Sequence, residues 1–269
     1  MATATTGIAI LTALGTGGWM PTPTRETSCW LLEYGGRAMI FDLGSGFRRL
    51  SPHHGVRWLE PYREVAIFLS HFHLDHLAGL PYLWAVLGAR RVKLYAPAWT
   101  ITGFAAREVL GRLTSRPLFG RPFERFPLPI EVEELGEGDH DLDGLRVSVR
   151  RQLHSDPSVA YRVEDVLAYV TDTGCDPATA RFAHGCRWLV HECWLDPDDY
   201  RALSDRGDPD AVYHSHVDGV ARLAGEAGVD RLVLAHLNPA YPEERLRAMA
   251  ERARTVFPAT VLPEDGRSL

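Results

Sequence analysis

Lysine is almost missing from this sequence. Of 29 basic residues only Lys93 is a lysine, so an anion clamp here must be built from arginine, whose planar guanidinium grips phosphate or carboxylate through two hydrogen bonds at once. An excess of positive charge is missing too. With 35 Asp and Glu the formal net charge is −6, which argues against a generally basic nucleic-acid binder while leaving room for a local basic groove. Cysteine is scarce: Cys29, Cys175, Cys186 and Cys193 contain no CxxC pair, and four in 269 residues do not make a disulfide framework, so they are expected to be reduced and mostly buried. No apolar run approaches the ~20 residues needed to cross a bilayer, because glycine, proline or charge interrupts each one. Residues 8–14 are apolar, but no positive side chain precedes them and Gly15-Thr-Gly-Gly18 follows, so they read as a first strand and not as a signal. These absences predict a cytoplasmic protein with no membrane partner.

What is present is ample core material, 45% hydrophobic residues against 24% charged, enough for one domain spanning residues 1–269. Short apolar runs at 8–14, 28–33, 38–42 and 65–69 have the length and β-rich content of strands, with Gly35-Gly36 as a hairpin turn. Leu77, Leu80, Trp84 and Leu87 then recur at helical spacing. They predict a helix over 76–88, with Asp75 as its N-cap and Pro81 as an irregularity. A strand at 92–95 follows, and the stretch 98–129 starts helical and turns into a Pro/Arg/Phe-rich loop, the place expected for a lid or a subunit contact in a homodimer. The second half repeats the plan, with strands at 145–151, 159–163, 166–171, 187–191 and 232–235 and helices at 177–184, at 216–228 and from Pro242 onward. Two successive halves of strands and helices predict an α/β fold: two sheets face to face with helices outside, a four-layer αββα sandwich.

The chemistry concentrates in Ser70-His-Phe-His-Leu-Asp-His76. On an extended strand end His71 and His73 point the same way, and the turn into the next helix can bring Asp75 and His76 back to the same point. Imidazole and carboxylate together are ligands for borderline divalent metals, zinc first among them, with manganese or iron also accepted. Asp172 closes the apolar strand 166–171 ahead of a glycine, a place where a carboxylate can span two cations or simply form a turn. His154 and His236 are weak candidates alone and depend on the cluster for their case.

The HxHxDH pattern resembles the signature of the metallo-β-lactamase superfamily. Further matches follow in order: Leu14-Gly-Thr-Gly-Gly18, His154, Asp172 within Tyr169-Val-Thr-Asp-Thr-Gly174, His191-Glu192, His214-Ser-His216 and Ala235-His236-Leu. Together they resemble the phosphodiesterase branch that includes ribonuclease Z, over about residues 14–240. The resemblance implies two divalent ions, one on His71, His73 and His154, the other on Asp75, His76 and His236, with Asp172 shared. Two metals about 3.5–4 Å apart acidify a water between them and clamp phosphoryl oxygens. Asp75 would orient that water. The resemblance gives His214 the protonation of the leaving group, with Glu192 orienting it, and His216 stands where the family usually has threonine.

One departure bears on the substrate. Enzymes that process tRNA 3′ ends carry a long arm between the fourth metal histidine and the bridging aspartate, whereas 18 positions separate His154 from Asp172 here. Phosphate contacts supply most nucleic-acid affinity, so structured tRNA is not the expected partner. A small anionic ester is: a cyclic nucleotide, a cyclic sugar phosphate or a short nucleotide ester, with Trp19, Phe47, Trp99, Phe119 and Trp194 as candidate stacking groups and Arg25 as a candidate phosphate contact. The competing readings are a lactonase, thioesterase or sulfatase of the same fold, a tRNA 3′-end endonuclease, and a noncatalytic metal-dependent binding protein.

Overall fold

The computed structural model describes residues 8–54 and 57–269. Strands β1 (Ile10–Gly15), β2 (Cys29–Tyr34), β3 (Arg37–Phe41), β4 (Glu64–Phe68), β5 (Arg91–Pro97) and β6 (Ile130–Leu135) form one sheet. The second holds β7 (Gly138–Leu142), β8 (Leu145–Arg151), β9 (Val159–Val163), β10 (Leu167–Val170), β11 (Trp188–Glu192), β12 (Arg231–Ala235) and β13 (Thr260–Val261), while β14 (Arg267–Ser268) returns to pair with β1. Pairing runs antiparallel from β1 to β3 and parallel from β3 to β6. The second sheet repeats this, antiparallel from β7 to β10 and parallel from β10 to β13.

Strand periodicity divides the core into three layers. Trp30, Leu32, Met39, Phe41 and Phe68 face the opposite sheet and meet Tyr161, Tyr169 and Trp188. Their neighbours in sequence, Leu31, Ile40 and Ile67, point outward against Leu80, Leu83 and Leu110. Beyond the second sheet, Leu189, Leu232 and Leu234 pack on Val220, Ala224, Leu246 and Met249 of the helices Val217–Ala227 and Glu243–Val256. Central parallel strands buried on both faces need near-continuous apolar sequence, and each such side chain contributes about 1.5–3 kcal/mol on burial. The architecture is the expected αββα sandwich. No helix among the described residues is long and apolar enough to cross a membrane, and all four cysteines are free, with Cys29, Cys186 and Cys193 buried.

Three local expectations change. The helix expected over 76–88 is broken into Leu74–Leu77, a 3-10 turn Leu80–Tyr82 and Leu83–Leu87. The break has two causes: Pro81 lacks an N–H, and Gly79 approaches its neighbours so closely that a Cβ there would lie 2.7 Å from Phe47 Cβ. The N-cap of the first piece is His73, with Asp75 inside the first turn. The edge strands β6, β7, β13 and β14 and the helices Pro197–Asp205 and Asp210–Tyr213 lie outside the expected elements. Sheet edges tolerate and favour charge: Ile130-Glu-Val-Glu alternates over too short a run to stand out from the charged residues around it, and the polar Gly138-Asp-His-Asp-Leu142 carries no apolar strand signal. The stretch 98–129 opens with helices Trp99–Thr102 and Ala106–Thr114 and then runs irregularly, its Phe119 and Phe126 packed on Trp84.

Candidate metal centre

Strands from both sheets end on one side of the sandwich, and the sequence places chemistry at those ends. Asp42 follows β3, the 71–76 segment follows β4, His154 lies beyond β8, Asp172 follows β10, Glu192 closes β11 and His236 follows β12. Carboxyl ends of parallel strands are where open α/β sheets place their ligands. Asp42, Asp172 and His236 all adopt left-handed backbone, with φ of 58°, 51° and 47°. That conformation is uncommon for non-glycine residues and concentrates at functional sites, where surrounding structure enforces it.

Donor atoms of His71, His73, His154 and Asp172 all lie within 4.8 Å of one another, as do those of Asp75, His76 and His236. Asp172, almost fully buried, joins the two groups. Its Oδ1 is 3.7 Å from His71 Nε2, 3.8 Å from His154 Nε2 and 3.2 Å from His236 Nε2, and its Oδ2 is 3.2 Å from His76 Nε2. Its carboxylate therefore sits among four imidazoles and makes no turn. Asp75 Oδ2 lies 3.3 Å from both His76 Nε2 and His236 Nε2. His73 is the most exposed of the set and pairs with Asp156 at 2.9 Å.

Electrostatics favour a cation at this point. Burial, reinforced by the neighbouring His76, pushes His71 well below the usual imidazole range, and burial also lowers His154, so both offer neutral lone pairs. At His76 and His236 burial acts in the same direction but is outweighed by carboxylates, Asp172 foremost, and both rise. Asp172 and Asp75 are held below the ordinary carboxylate range despite burial, by His236 and His76 respectively before other histidines. Among the described residues, buried His71 Nε2 and His76 Nε2 have no hydrogen-bond partner of suitable geometry, although carboxylate oxygens lie close to both. Orphaned buried nitrogens of this kind require an explanation, and a divalent cation coordinated by convergent imidazole and carboxylate supplies it.

Asp42, which sequence reasoning passed over, sets the orientation of the centre. It is fully buried and accepts from Ser70 N–H at 2.7 Å, Ser70 Oγ at 2.8 Å, Tyr169 OH at 2.7 Å and His76 Nδ1 at 2.8 Å. A carboxylate only accepts, so His76 carries its proton on Nδ1 and leaves Nε2 for a metal. Ser70 Oγ gives its hydrogen to Asp42 and thus accepts from His71 Nδ1 at 2.9 Å, which fixes the same tautomer there. The available signal was an aspartate closing an apolar strand, shared with Asp172.

Beside the cluster, Glu192 is fully buried and accepts from Ser215 N–H at 2.7 Å and from His214 Nδ1 at 3.1 Å. Its other oxygen lies 3.5 Å from His236 Nδ1. Burial would lower His214, but the charge of Glu192 overrides it and lifts the ring to about 9. Trp194 stacks on His214 and His236, with centroids 5.0 and 5.3 Å apart. His214 therefore stands next to the cluster, 5.5 Å from the His154 ring. His216 caps the helix Val217–Ala227, accepting from Gly219 N–H at 3.3 Å, and stacks on Tyr200; an N-cap acceptor is equally a threonine's function. His191, the neighbour of Glu192, faces away from the site and donates from Nδ1 to the Glu192 carbonyl at 2.8 Å.

Other expectations are corrected. Arg25 is buried, forks onto Glu243 and donates to Thr16 Oγ1 and the Pro263 carbonyl, so it joins structural elements and is no phosphate contact. Gly18 lies so close over His236 that a Cβ would sit 2.5 Å from its ring, and Trp19 N–H donates to Asp75 Oδ2 at 2.8 Å. The glycine loop therefore covers the metal ligand candidates. Phe47 is core and Phe119 belongs to the Trp84 cluster, which removes both from the cleft. A pocket of about 270 Å³ opens instead beside His71 and His73, walled by Phe72, Phe104, Val109 and Arg112.

Residues 37–237 match the family model described as the β-lactamase superfamily domain. Ribonuclease Z of Methanopyrus kandleri is 30% identical over 301 aligned positions, covering 96% of this chain and 96% of that protein. Among solved structures, the metallo-β-lactamase fold protein YhfI of Bacillus subtilis aligns with a TM-score of 0.73 at 22% identity, over 97% of this chain and 98% of that one. A diphosphatase of the PhnP family aligns with a TM-score of 0.69 at 21% identity, over 97% of each chain. Those two likenesses are likenesses of fold.

Proposed function

This chain belongs to the β-lactamase superfamily, in its ribonuclease Z-like branch, and is a metal-dependent hydrolase; from that premise we propose that it cleaves a small phosphodiester at a dinuclear centre. His71, His73 and His154 would hold one ion and Asp75, His76 and His236 the other, with Asp172 close to both sets. Divalent ions held there, zinc by the character of the donor set, would supply an acidified water and neutralise charge on phosphoryl oxygens. Asp75, anchored by Trp19 N–H, orients the attacking water. Asp42 holds the His76 ring directly and the His71 ring through Ser70.

The observation that carries the phosphodiester reading is the His214–Glu192 pair. A diester leaves an alkoxide that needs a proton, and His214, kept protonated at neutral pH by Glu192 and placed alongside the cluster, is a general acid matched to that need. Small size is supported by the interval between His154 and Asp172, which is spent on β9 and β10 with their connections and leaves no arm. Residues from both sheets are required at the centre, consistent with residues 1–269 acting as one domain.

A second reading, cleavage of precursor tRNA, is favoured by the match to ribonuclease Z across nearly the whole chain. Metal content, turnover of bis(p-nitrophenyl) phosphate and cleavage of a precursor tRNA, measured on one preparation, test both. Two metals per chain with diester turnover and an intact precursor are the expected result. Efficient precursor cleavage moves the assignment to the nuclease, and full metal content with neither activity moves it to lactone, thioester or sulfate substrates.

A further inference from the structure

The pocket next to His71 and His73 belongs to no step described so far. Its far wall comes from the helical start of the 98–129 stretch. Val109 and Arg112 stand three residues apart on the helix Ala106–Thr114 and so share a face. The opposite face of that helix is fixed by buried Ala106, Leu110 and Thr114, and its first turn is tied down by Ala106 N–H donating to Glu134 at 2.7 Å. Phe104 lies just before it, in a backbone turn held by Thr102: Phe104 N–H donates to Thr102 Oγ1 at 3.2 Å, and that hydroxyl donates to the Phe104 carbonyl at 2.9 Å. The backbone is therefore fixed while the Phe104 side chain remains 51% exposed.

The chemistry of the walls narrows the occupant. At about 270 Å³ the space lies just below the ~300 Å³ at which small-molecule pockets begin, so it takes one arm of a ligand and not the whole. Phe72, Phe104 and Val109 offer apolar faces. Arg112 adds a cation tethered to Glu108 at 2.6 Å through one nitrogen, which leaves most of its five N–H donors uncommitted. Asp156, the acid on this rim, is engaged with His73. A flat arm that is apolar on its faces and carries acceptors at its edge complements these walls.

Resting on the diesterase reading above, we infer that this pocket is the subsite for a nucleobase, with Phe104 as its stacking face and Arg112 as the donor that reads its carbonyl oxygens. Base–aromatic stacking and an arginine contact both discriminate a base from a bare alkyl arm. The base arrives on a free nucleotide ester or on the terminal nucleotide of a longer chain, and the chemistry of the pocket is the same for both.

The test compares kcat/KM for thymidine 5′-(p-nitrophenyl phosphate) with that for methyl p-nitrophenyl phosphate, which share a leaving group. The wild type is expected to favour the nucleotide by at least roughly tenfold, and Phe104→Ala and Arg112→Ala each to shrink that ratio by roughly tenfold, mainly through KM. Val256→Ala, on an exposed position of the last helix, is the control whose ratio stays put. Thymidine 5′-monophosphate should inhibit more tightly than methyl phosphate in the wild type, and the difference should vanish in Phe104→Ala. A trinucleotide with the same leaving group separates the two sources: better turnover assigns the pocket to a chain end, equal or poorer turnover to a free nucleotide. Hydrolysis of both small esters at similar rates, or a ratio untouched by both variants, overturns the base subsite while leaving the diesterase reading intact. Hydrolysis of neither removes the diesterase reading and this inference with it.

Discussion

The Asp42 carboxylate receives the Nδ1 proton of His76 across 2.8 Å from a position with no solvent exposure. Partners of this kind fix the tautomer and direction of a metal-binding imidazole, and their loss typically costs 10–100-fold in metal affinity. Asp42→Asn is therefore expected to weaken metal binding by about that factor, read by competition with a chromogenic chelator. Unchanged affinity in a folded variant would show that the ring is held by packing alone.

The pH profile should expose His214. Its folded pKa is raised to about 9, so under the proposed acid role its proton is present below that pH and lost as pH rises through it. With an alkyl leaving group kcat/KM is expected to fall above about pH 9. Glu192→Gln removes the main charge that opposes burial, and the limb should move to lower pH. His214→Ala should cost roughly 10²–10⁴-fold with the alkyl leaving group and far less with p-nitrophenolate, which leaves without a proton. Equal losses with both leaving groups would refute the acid role.

Gly18 tests the loop over the cluster. Gly18→Ala puts a methyl group 2.5 Å from the His236 ring, and the ring must yield. A displacement near 1 Å can cost about 10²-fold in rate, so a loss of that order is expected with the fold preserved by circular dichroism. Wild-type activity would mean that the loop moves aside freely.

Arg25 separates structure from substrate contact. It holds Glu243, Thr16 and the Pro263 carbonyl together, and breaking a buried ion pair by removing one partner costs about 3–5 kcal/mol. With Glu243 partly exposed, Arg25→Ala should fall at the lower end, about 3 kcal/mol, in denaturant unfolding, with KM for the small diester unchanged. A raised KM at unaltered stability would restore the phosphate-contact role.

Much of this was legible because strand signals and site signals coincide. Val65 to Leu69 reads as a buried strand and delivers His71 to His76, so their convergence followed from period 2 and a turn. His154, Asp172, His214 and His236 were legible only as an ordered set, since each alone resembles an ordinary strand-end or loop residue. Asp42 escaped for the same reason: nothing in Phe41-Asp42-Leu43 distinguishes a carboxylate that orients two histidines from one that forms a turn. The break at Gly79 depended on a close approach to Phe47, a tertiary contact that helical periodicity does not report. Phe104, between two short helices, and Arg112, on the second of them, carried no signal, because only the folded chain places the start of the 98–129 stretch beside the cleft.

The proposed ligands are shared between the two sheets, His71, His73, Asp75 and His76 from one and His154, Asp172 and His236 from the other. A cation bound among them fastens the halves of the sandwich like a rivet through two plates. Loading and closure of the inter-sheet seam then become a single linked equilibrium, so stripping the ions should loosen amide exchange first along Phe41, Phe68 and Tyr169, the aromatic joint directly beneath the ligands.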